Sequence, residues 1–416
     1  MGINRDGLEL ALQPFDLALG GLYELRQFVS PHVEILDENM GSILKDNVDR
    51  ELDLLSPEDR TQVAHKLRDL GEILTNVSDG NALETGPLSV DVSDMSAPAQ
   101  DALWAVVSAT GHKILQPSKH RLVLESIVAT AVATFEVLVR ALVHLTYEAY
   151  PGLISKTEKE FSLGDLERFA SPHEAVRDAI DRRVESVLYR GFDSWTAWIS
   201  KDPLKVPLKD LALDWPETVE VFQRRNVILH HGGLVSKRYV DRVFGGESAL
   251  SIGTELPIDA VYVDRAIDLI LVLGVRTCQS IADRTGPPWL NPREVTDLLV
   301  AGRWAAAEAL AESGERSLGQ HDGPDEALLR HRCERWFARG QLHGSEAIRA
   351  EVADWDTSAL RPLFRVARCA LLSDLDGAFA ILPHALESGE VSRRDLLSWP
   401  VLEILQTDPR LDELTG

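Results

Sequence analysis

Cysteine is scarce in this sequence of 416 residues. The three cysteines, Cys278, Cys333 and Cys369, lie far apart and form no Cys-x-x-Cys pair. An odd number of widely spaced cysteines does not build a disulfide framework and lacks the spacing of a zinc site. We therefore expect no disulfide and no bound metal, and we expect the cysteines to be core residues of a protein in a reducing compartment.

The sequence also has little that would direct it to a membrane. The N-terminus has no apolar signal core, and Asp6 stands where a myristoylation signal carries Ser or Thr. The most apolar stretch, Ser126 to Leu145, is interrupted by Glu136 and Arg140, which disfavours a transmembrane span. We expect a cytoplasmic protein without membrane contact, in which this stretch is a buried helix.

Basic residues are outnumbered, and the formal net charge is -23. Such a charge excludes nucleic-acid binding over the whole surface, because phosphate would be repelled. The charge is unevenly distributed, however: residues 1–118 hold 8 Lys and Arg against 20 Asp and Glu, whereas residues 171–245 hold 12 against 11. Acidity is therefore concentrated away from the middle of the chain.

Helical periodicity dominates, and alternating runs of β-branched residues are rare, so we predict an all-α fold. Three consecutive regions are expected: an acidic N-terminal helical region over 1–118, a central helical domain over 119–285 and a C-terminal region over 286–416. A helix should begin at Ser56-Pro57-Glu58, and the polar stretch from Ser78 to Pro98 is the best candidate for a linker.

Small and large residues alternate in two C-terminal segments, Trp304 to Leu310 and Asp376 to Leu382. The segments loosely resemble tetratricopeptide-type α-hairpins. That resemblance implies a concave surface for a protein partner. A helical cap on the central domain is an equally good interpretation.

One helix carries the most informative motif. It is predicted to begin at Asp214-Trp215-Pro216-Glu217, a capping pattern, and to end at Gly232-Gly233. On this helix Asn226 and His230 are i, i+4 neighbours, and Arg225 lies about 140° from His230 with Asn226 between them. The three side chains are expected to border one pocket.

These residue types suit RNA cleavage without a metal or another cofactor. Histidine can transfer the proton of the 2′-hydroxyl or of the leaving group, and arginine grips phosphate oxygens through its planar fork. Asparagine can orient either the histidine or a phosphate oxygen. We therefore predict Arg225, Asn226 and His230 as catalytic residues.

The motif Arg225-Asn226-x-x-x-His230 resembles the signature of the HEPN family. The surroundings are also similar: a long apolar helix that ends at Tyr150-Pro151, the segment from Leu166 to Phe169, and Gly232-Gly233 after the motif. The resemblance covers about residues 119–285. It implies a bundle of four or five helices that dimerises, metal-independent endoribonuclease activity with 2′,3′-cyclic phosphate ends, and a role in toxin–antitoxin, abortive-infection or antiphage defence.

Several points stay open from the sequence. Arg224 and His231 also satisfy the spacing, and the sequence does not distinguish whether either shares or replaces the roles of Arg225 and His230. With Lys237 and Arg238, these two residues are expected to bind RNA, tRNA among the candidates. Glu136 and Arg140 are expected either to line the site or to face water.

Two further considerations bear on function. Gly232 stands where HEPN toxins paired with nucleotidyltransferases carry Tyr, so regulation by modifying that position is not expected. The alternative to a homodimeric ribonuclease is a non-catalytic HEPN-fold protein that binds RNA or a partner.

Overall fold

The computed structural model describes residues 3–78, 91–114, 118–153, 169–189, 191–201, 203–248, 250–284, 292–319 and 326–415. Within these ranges the regular structure is helical and there is no β-strand; one isolated antiparallel bridge joins Leu234 and Glu255. The predicted all-α fold is confirmed.

The helices follow one another along the chain. They are α1 (Arg5–Asp53), α2 (Pro57–Ser78), α3 (Ala97–Ile114), α4 (Lys119–Ala149), α5 (Pro172–Leu188), α6 (Phe192–Ile199), α7 (Leu208–Leu211), α8 (Trp215–His231), α9 (Lys237–Phe244) and α10 (Ala260–Ala282). The C-terminal helices are α11 (Pro292–Val300), α12 (Trp304–Leu318), α13 (Glu326–His343), α14 (Glu346–Ala353), α15 (Pro362–Leu371), α16 (Leu375–Glu387), α17 (Arg393–Ser398), α18 (Glu403–Gln406) and α19 (Arg410–Thr415).

A local sequence signal predicted the start of α2 correctly. Helix α2 begins at Pro57, and Ser56 caps it by accepting the backbone N–H of Asp59 at 3.2 Å. The expected linker falls mostly on residues 79–90, which lie outside the described residues, as does most of the segment from Leu166 to Phe169.

The described residues pack into two compact units. The motif unit consists of Leu17–Thr134 and Pro216–Ile267, and the terminal unit of Met1–Asp16, Phe135–Trp215 and Asp268–Gly416. Each unit therefore combines segments that are far apart in the sequence. The three consecutive regions expected from the sequence stay a prediction.

In the motif unit, α1 is fixed against the start of α4 and against α10. The carboxylate of Asp37 accepts the backbone N–H of His120 at 2.8 Å and the hydroxyl of Ser118 at 2.7 Å. These hydrogen bonds, that of the His120 backbone first, lower the pKa of Asp37. Arg26 forms a two-pronged ion pair with Asp264 of α10. The inward side of α1 is thus held by polar contacts at two points.

In the terminal unit, the second half of α10 packs against the C-terminal helices. Arg276 donates to Ser313 Oγ at 2.7 Å and to the carbonyl of Ala309, and Ser317 donates to Asp283 at 2.6 Å. Helix α12 packs against α13, and α15 against α16, as helix pairs. The C-terminal helices therefore share one packed unit with α10.

Helix α4 is long and apolar enough to cross a membrane, judged by length and composition alone. Buried core helices of soluble proteins share these properties, and Phe135, Leu138 and Leu142 of α4 are each 1% exposed. The helix is therefore compatible with a soluble protein. The three cysteines are also buried, and burial raises the pKa of the Cys333 and Cys369 thiols.

Helix α10 contains a glycine, Gly274, at a closely packed position. A Cβ added to Gly274 would overlap the ring of Phe15 and lie 3.0 Å from a methyl carbon of Leu138. We expect Gly274→Ala to lower the free energy of unfolding by about 1 to 3 kcal/mol, because overpacking displaces the ring. Urea unfolding would measure this.

The matched control is Gly20→Ala on α1, where nothing lies within 4 Å of the added Cβ. Alanine should there raise stability by up to about 1 kcal/mol, since it favours the helix. Equal effects of the two substitutions would show that the packing at Gly274 is not tight.

Candidate functional site

Helix α8 carries the predicted motif and ends where the sequence indicated. It runs from Trp215 to His231, directly before the glycine pair. Arg225 and Asn226 are half-buried, and Arg225 Nη1 donates to Asn226 Oδ1 at 3.2 Å. His230 lies one turn after Asn226 and is exposed. The helix therefore presents an arginine–asparagine pair beside an accessible imidazole.

The end of α8 requires glycine at two successive positions. Gly232 and Gly233 have φ of +60° and +79°, a region that residues with a Cβ rarely adopt. The Gly233 N–H also satisfies the carbonyl of Val227 at 3.2 Å. A Cβ at Gly233 would lie 2.7 Å from both Arg121 Nη2 and Glu125 Oε1. The backbone conformation at Gly233 thus disfavours a larger residue, which would also displace the ends of the Arg121 and Glu125 side chains.

The chain that follows α8 is held by a second loop. The Gly233 carbonyl accepts the N–H of Leu256 at 2.9 Å, and Val235 exchanges backbone hydrogen bonds of 2.8 Å with Thr254 and Gly253. Arg121 at the start of α4 pairs with Glu125 at 2.9 Å and with Glu255 of this loop at 2.7 Å. These contacts fix the C-terminal end of α8, where His230 and His231 are the last two residues.

Arg224 is directed into the motif unit. Its side chain is almost fully buried, its Nε donates to Glu220 at 2.8 Å, and its Nη1 donates to the carbonyl of Pro257. Its guanidinium carbon lies 3.9 Å from the centre of the Tyr262 ring. The guanidinium is thus engaged inside the protein, which does not suit the predicted contact with RNA.

Glu220 is the acceptor at the centre of this cluster. Besides Arg224, it accepts the hydroxyls of Tyr239 on α9 and Tyr262 on α10, the latter at 2.6 Å. Burial, followed by the charge of Glu220, raises the pKa of both tyrosines, so their hydroxyls stay protonated and donate. Glu220 therefore ties α8 to α9 and α10 and fixes the rotation of α8.

The other predicted RNA ligands are exposed. His231 is the last residue of α8, and Lys237 and Arg238 form the first turn of α9, which Ser236 caps. Lys237 also pairs with Asp241 at 2.9 Å. These cations lie in the motif unit with Arg225 and His230.

The two residues predicted to line the site are assigned to the other compact unit. Glu136 is half-buried and Arg140 exposed, and both belong to the part of α4 in the terminal unit. Their participation in the site stays a prediction. Among the described residues, no group of three or more His, Cys, Asp or Glu is placed to hold a metal ion.

Sequence reasoning missed Glu220, Tyr262 and Arg121, and it named Tyr239 only as a residue that follows the motif. Only the i, i+4 spacing of Glu220 and Arg224 could have indicated part of this arrangement.

No protein-family model matches the chain, and no curated protein or solved structure matches it either. The motif and the geometry of α8 are therefore the features of this chain that bear on its function.

Proposed function

We propose that this protein is a metal-independent endoribonuclease with a HEPN-type site on α8. The observation that carries the proposal is the arrangement of Arg225, Asn226 and His230 on one helix. Arg224 is held inward by Glu220, and the glycine pair ends the helix directly after the histidines. A half-buried arginine beside an exposed imidazole supplies the phosphate ligand and the proton carrier that the reaction needs.

The proposed reaction is an attack by a ribose on its own phosphodiester. The 2′-oxygen loses its proton and bonds to phosphorus while the bond to the 5′-oxygen breaks. The products are a 2′,3′-cyclic phosphate and a 5′-hydroxyl, which takes up a proton. Arg225 binds the phosphate oxygens as negative charge develops, His230 transfers a proton and Asn226 orients His230 or the phosphate.

His231, Lys237 and Arg238 extend the proposed RNA surface from the end of α8 onto α9. Because the chain as a whole is strongly acidic, binding should depend on these few cations and weaken as salt is added. RNA, with tRNA as one candidate, is the proposed substrate, and Glu136 and Arg140 remain candidates for its surroundings.

The wider role follows from the same resemblance. A HEPN-type ribonuclease of this kind would act in the cytoplasm as a homodimer, in a bacterial toxin, abortive-infection or antiphage system. The C-terminal helices would hold a protein partner that restrains or targets the enzyme. The competing function is a non-catalytic protein that binds RNA or a partner through the same helices.

The test is cleavage of total tRNA and of one structured RNA in EDTA, with fragment ends identified. Wild-type protein should give fragments with cyclic phosphate ends, and His230→Ala should give none, because the proton carrier is lost. His231→Ala is the matched control, since it removes the neighbouring exposed imidazole from the same helix end.

The outcomes separate the two functions. Cleavage that persists in His230→Ala but disappears in His231→Ala would move the catalytic role to His231. Absence of cleavage by the wild-type protein, with RNA binding retained, would favour the non-catalytic function.

A further inference from the structure

The outward side of α1 is apolar over more than five turns. At 100° per residue, the exposed large apolar residues of this side fall within one sector about 120° wide. The members are Leu17, Leu25, Phe28, Val29, Ile35 and Leu36, which are 38 to 71% exposed. We call this group the α1 stripe; all of it belongs to the motif unit.

The stripe is not the side by which α1 packs onto its own unit. That side carries Leu19 and Ser30, which are 0% and 2% exposed, together with Arg26 and Asp37. Helix α1 thus has a second apolar side, directed away from its internal contacts. An amphipathic surface helix needs only one such side.

The sector also contains no Asp, Glu, Lys or Arg between residues 17 and 39, although the chain carries a net charge of -23. Between residues 17 and 39 its other positions are Ala18, Gly21, His32 and Asn39. The three glutamates of the same segment, Glu24, Glu34 and Glu38, all fall outside it. A solvated face in so acidic a protein would be expected to contain carboxylates.

A groove of about 250 Å³ continues the stripe onto α4. Its walls include Leu25 and Val29 of α1 together with Leu122, Val123 and Ile127 of α4. Leu122 is itself 45% exposed. With it, the exposed apolar surface is on the order of 700 Å², larger than the patches that monomeric proteins usually leave open.

We infer that the α1 stripe is the surface by which two copies of this chain dimerise. An interface of standard size covers about 800 Å² on each partner, which the stripe, the side chains of His32 and Asn39 within its sector and Glu24 at its edge together provide. Symmetric dimers require a patch that is complementary to itself. The stripe meets that condition.

An antiparallel crossing of two α1 helices, centred between Arg26 and Gln27, shows this complementarity. It lays Phe28 of one copy against Leu25 of the other, beside the apolar groove. It also sets the small Gly21 opposite the larger His32, and nothing lies within 4 Å of a Cβ added to Gly21. Glu24 then faces Val29 and not a second carboxylate.

The charges beside the stripe disfavour a membrane as its occupant. Helices that lie on a membrane surface carry Lys and Arg beside the apolar side, where they attract anionic lipids. Here the charged residue nearest the stripe is Glu24, beside one edge, and the other edge is followed by Leu22 and Val33. The inference assigns a surface to the homodimer that the proposed function includes. Its test measures assembly and not RNA cleavage, so either proposal can fail without the other.

The test compares Phe28→Glu with Val261→Glu in the full-length protein by sedimentation equilibrium. Wild type and Val261→Glu should sediment as dimers, at twice 46.0 kDa, at micromolar concentration. Phe28→Glu should weaken the dimer at least 100-fold, because a charge would be buried in the apolar contact. Val261 is 77% exposed in the same unit and lies outside the stripe, so it controls for the added charge.

Disulfide cross-linking gives a second measurement. A mixture of Leu25→Cys and Phe28→Cys proteins should form covalent dimers under mild oxidation, whereas Val261→Cys should not. The native cysteines are buried and give little background. A monomeric wild type, or a dimer unaffected by Phe28→Glu and not cross-linked through Leu25→Cys, would overturn the inference.

Discussion

Replacing Arg225 by alanine is expected to lower the rate constant of RNA cleavage by about 1000-fold. Arg225 is the arginine of the motif that Glu220 does not hold inward, and it lies one residue from Arg224 on the same helix. In the proposed reaction its fork binds phosphate oxygens as charge develops, and the loss of such a contact costs about 10²- to 10³-fold or more. Single-turnover cleavage at saturating protein concentration would measure this rate.

Arg238→Ala is the matched control for Arg225→Ala. Arg238 is exposed on α9, where it is proposed to contact RNA without touching the reacting phosphate. Its loss should weaken binding several-fold and lower the dependence of affinity on salt by about one unit of slope. Cleavage of bound RNA should be unchanged.

The variant that lacks both Arg225 and His230 gives a sharper test. Residues that act as one catalytic unit are not additive, so the double variant should be no slower than the slower single variant. Cleavage by Arg225→Ala at the wild-type rate would show that Arg225 has no catalytic role. The same would follow if its lower cleavage rate were fully accounted for by a smaller fraction of folded protein.

The bounds of α8 were predictable because its signals are local. Pro216 in the first turn and the glycine pair after His231 act through the backbone of a few neighbouring residues, whatever the rest of the chain does. The same is true of the start of α2 at Pro57.

The distinction between Arg224 and Arg225 was not predictable from spacing. It depends on Glu220, which lies one turn earlier, and on Tyr239 and Tyr262, which lie on two other helices. Arg121 contacts Glu255 across 134 residues of sequence. A single sequence contains no local signal for such pairs, so the support of the site appears only in the folded chain.

The division into two compact units was likewise not predictable from local signals. The motif unit joins α8 and α9 to segments of α1 and α4 that precede them by more than 80 residues. Composition and linkers divide a chain only into consecutive regions, whereas packing can join separated segments.

Glu220→Ala is expected to lower the free energy of unfolding by about 3 to 5 kcal/mol. The substitution leaves the buried guanidinium of Arg224 without its carboxylate, and breaking a buried ion pair on one side has this cost. It also leaves the hydroxyls of Tyr239 and Tyr262 without their acceptor. Denaturant unfolding of the purified protein would measure the change.

Glu217→Ala is the control for this prediction. Glu217 lies one turn before Glu220 on α8 and pairs with Arg265 of α10. That pair is partly exposed, so its loss should cost less than about 1 kcal/mol. If the two substitutions cost the same, the Glu220 cluster would not be what holds α8. If Glu220→Ala is the costlier one, RNA cleavage by the residual folded protein should also fall, since Arg225 and His230 depend on the rotation of α8 that Glu220 fixes.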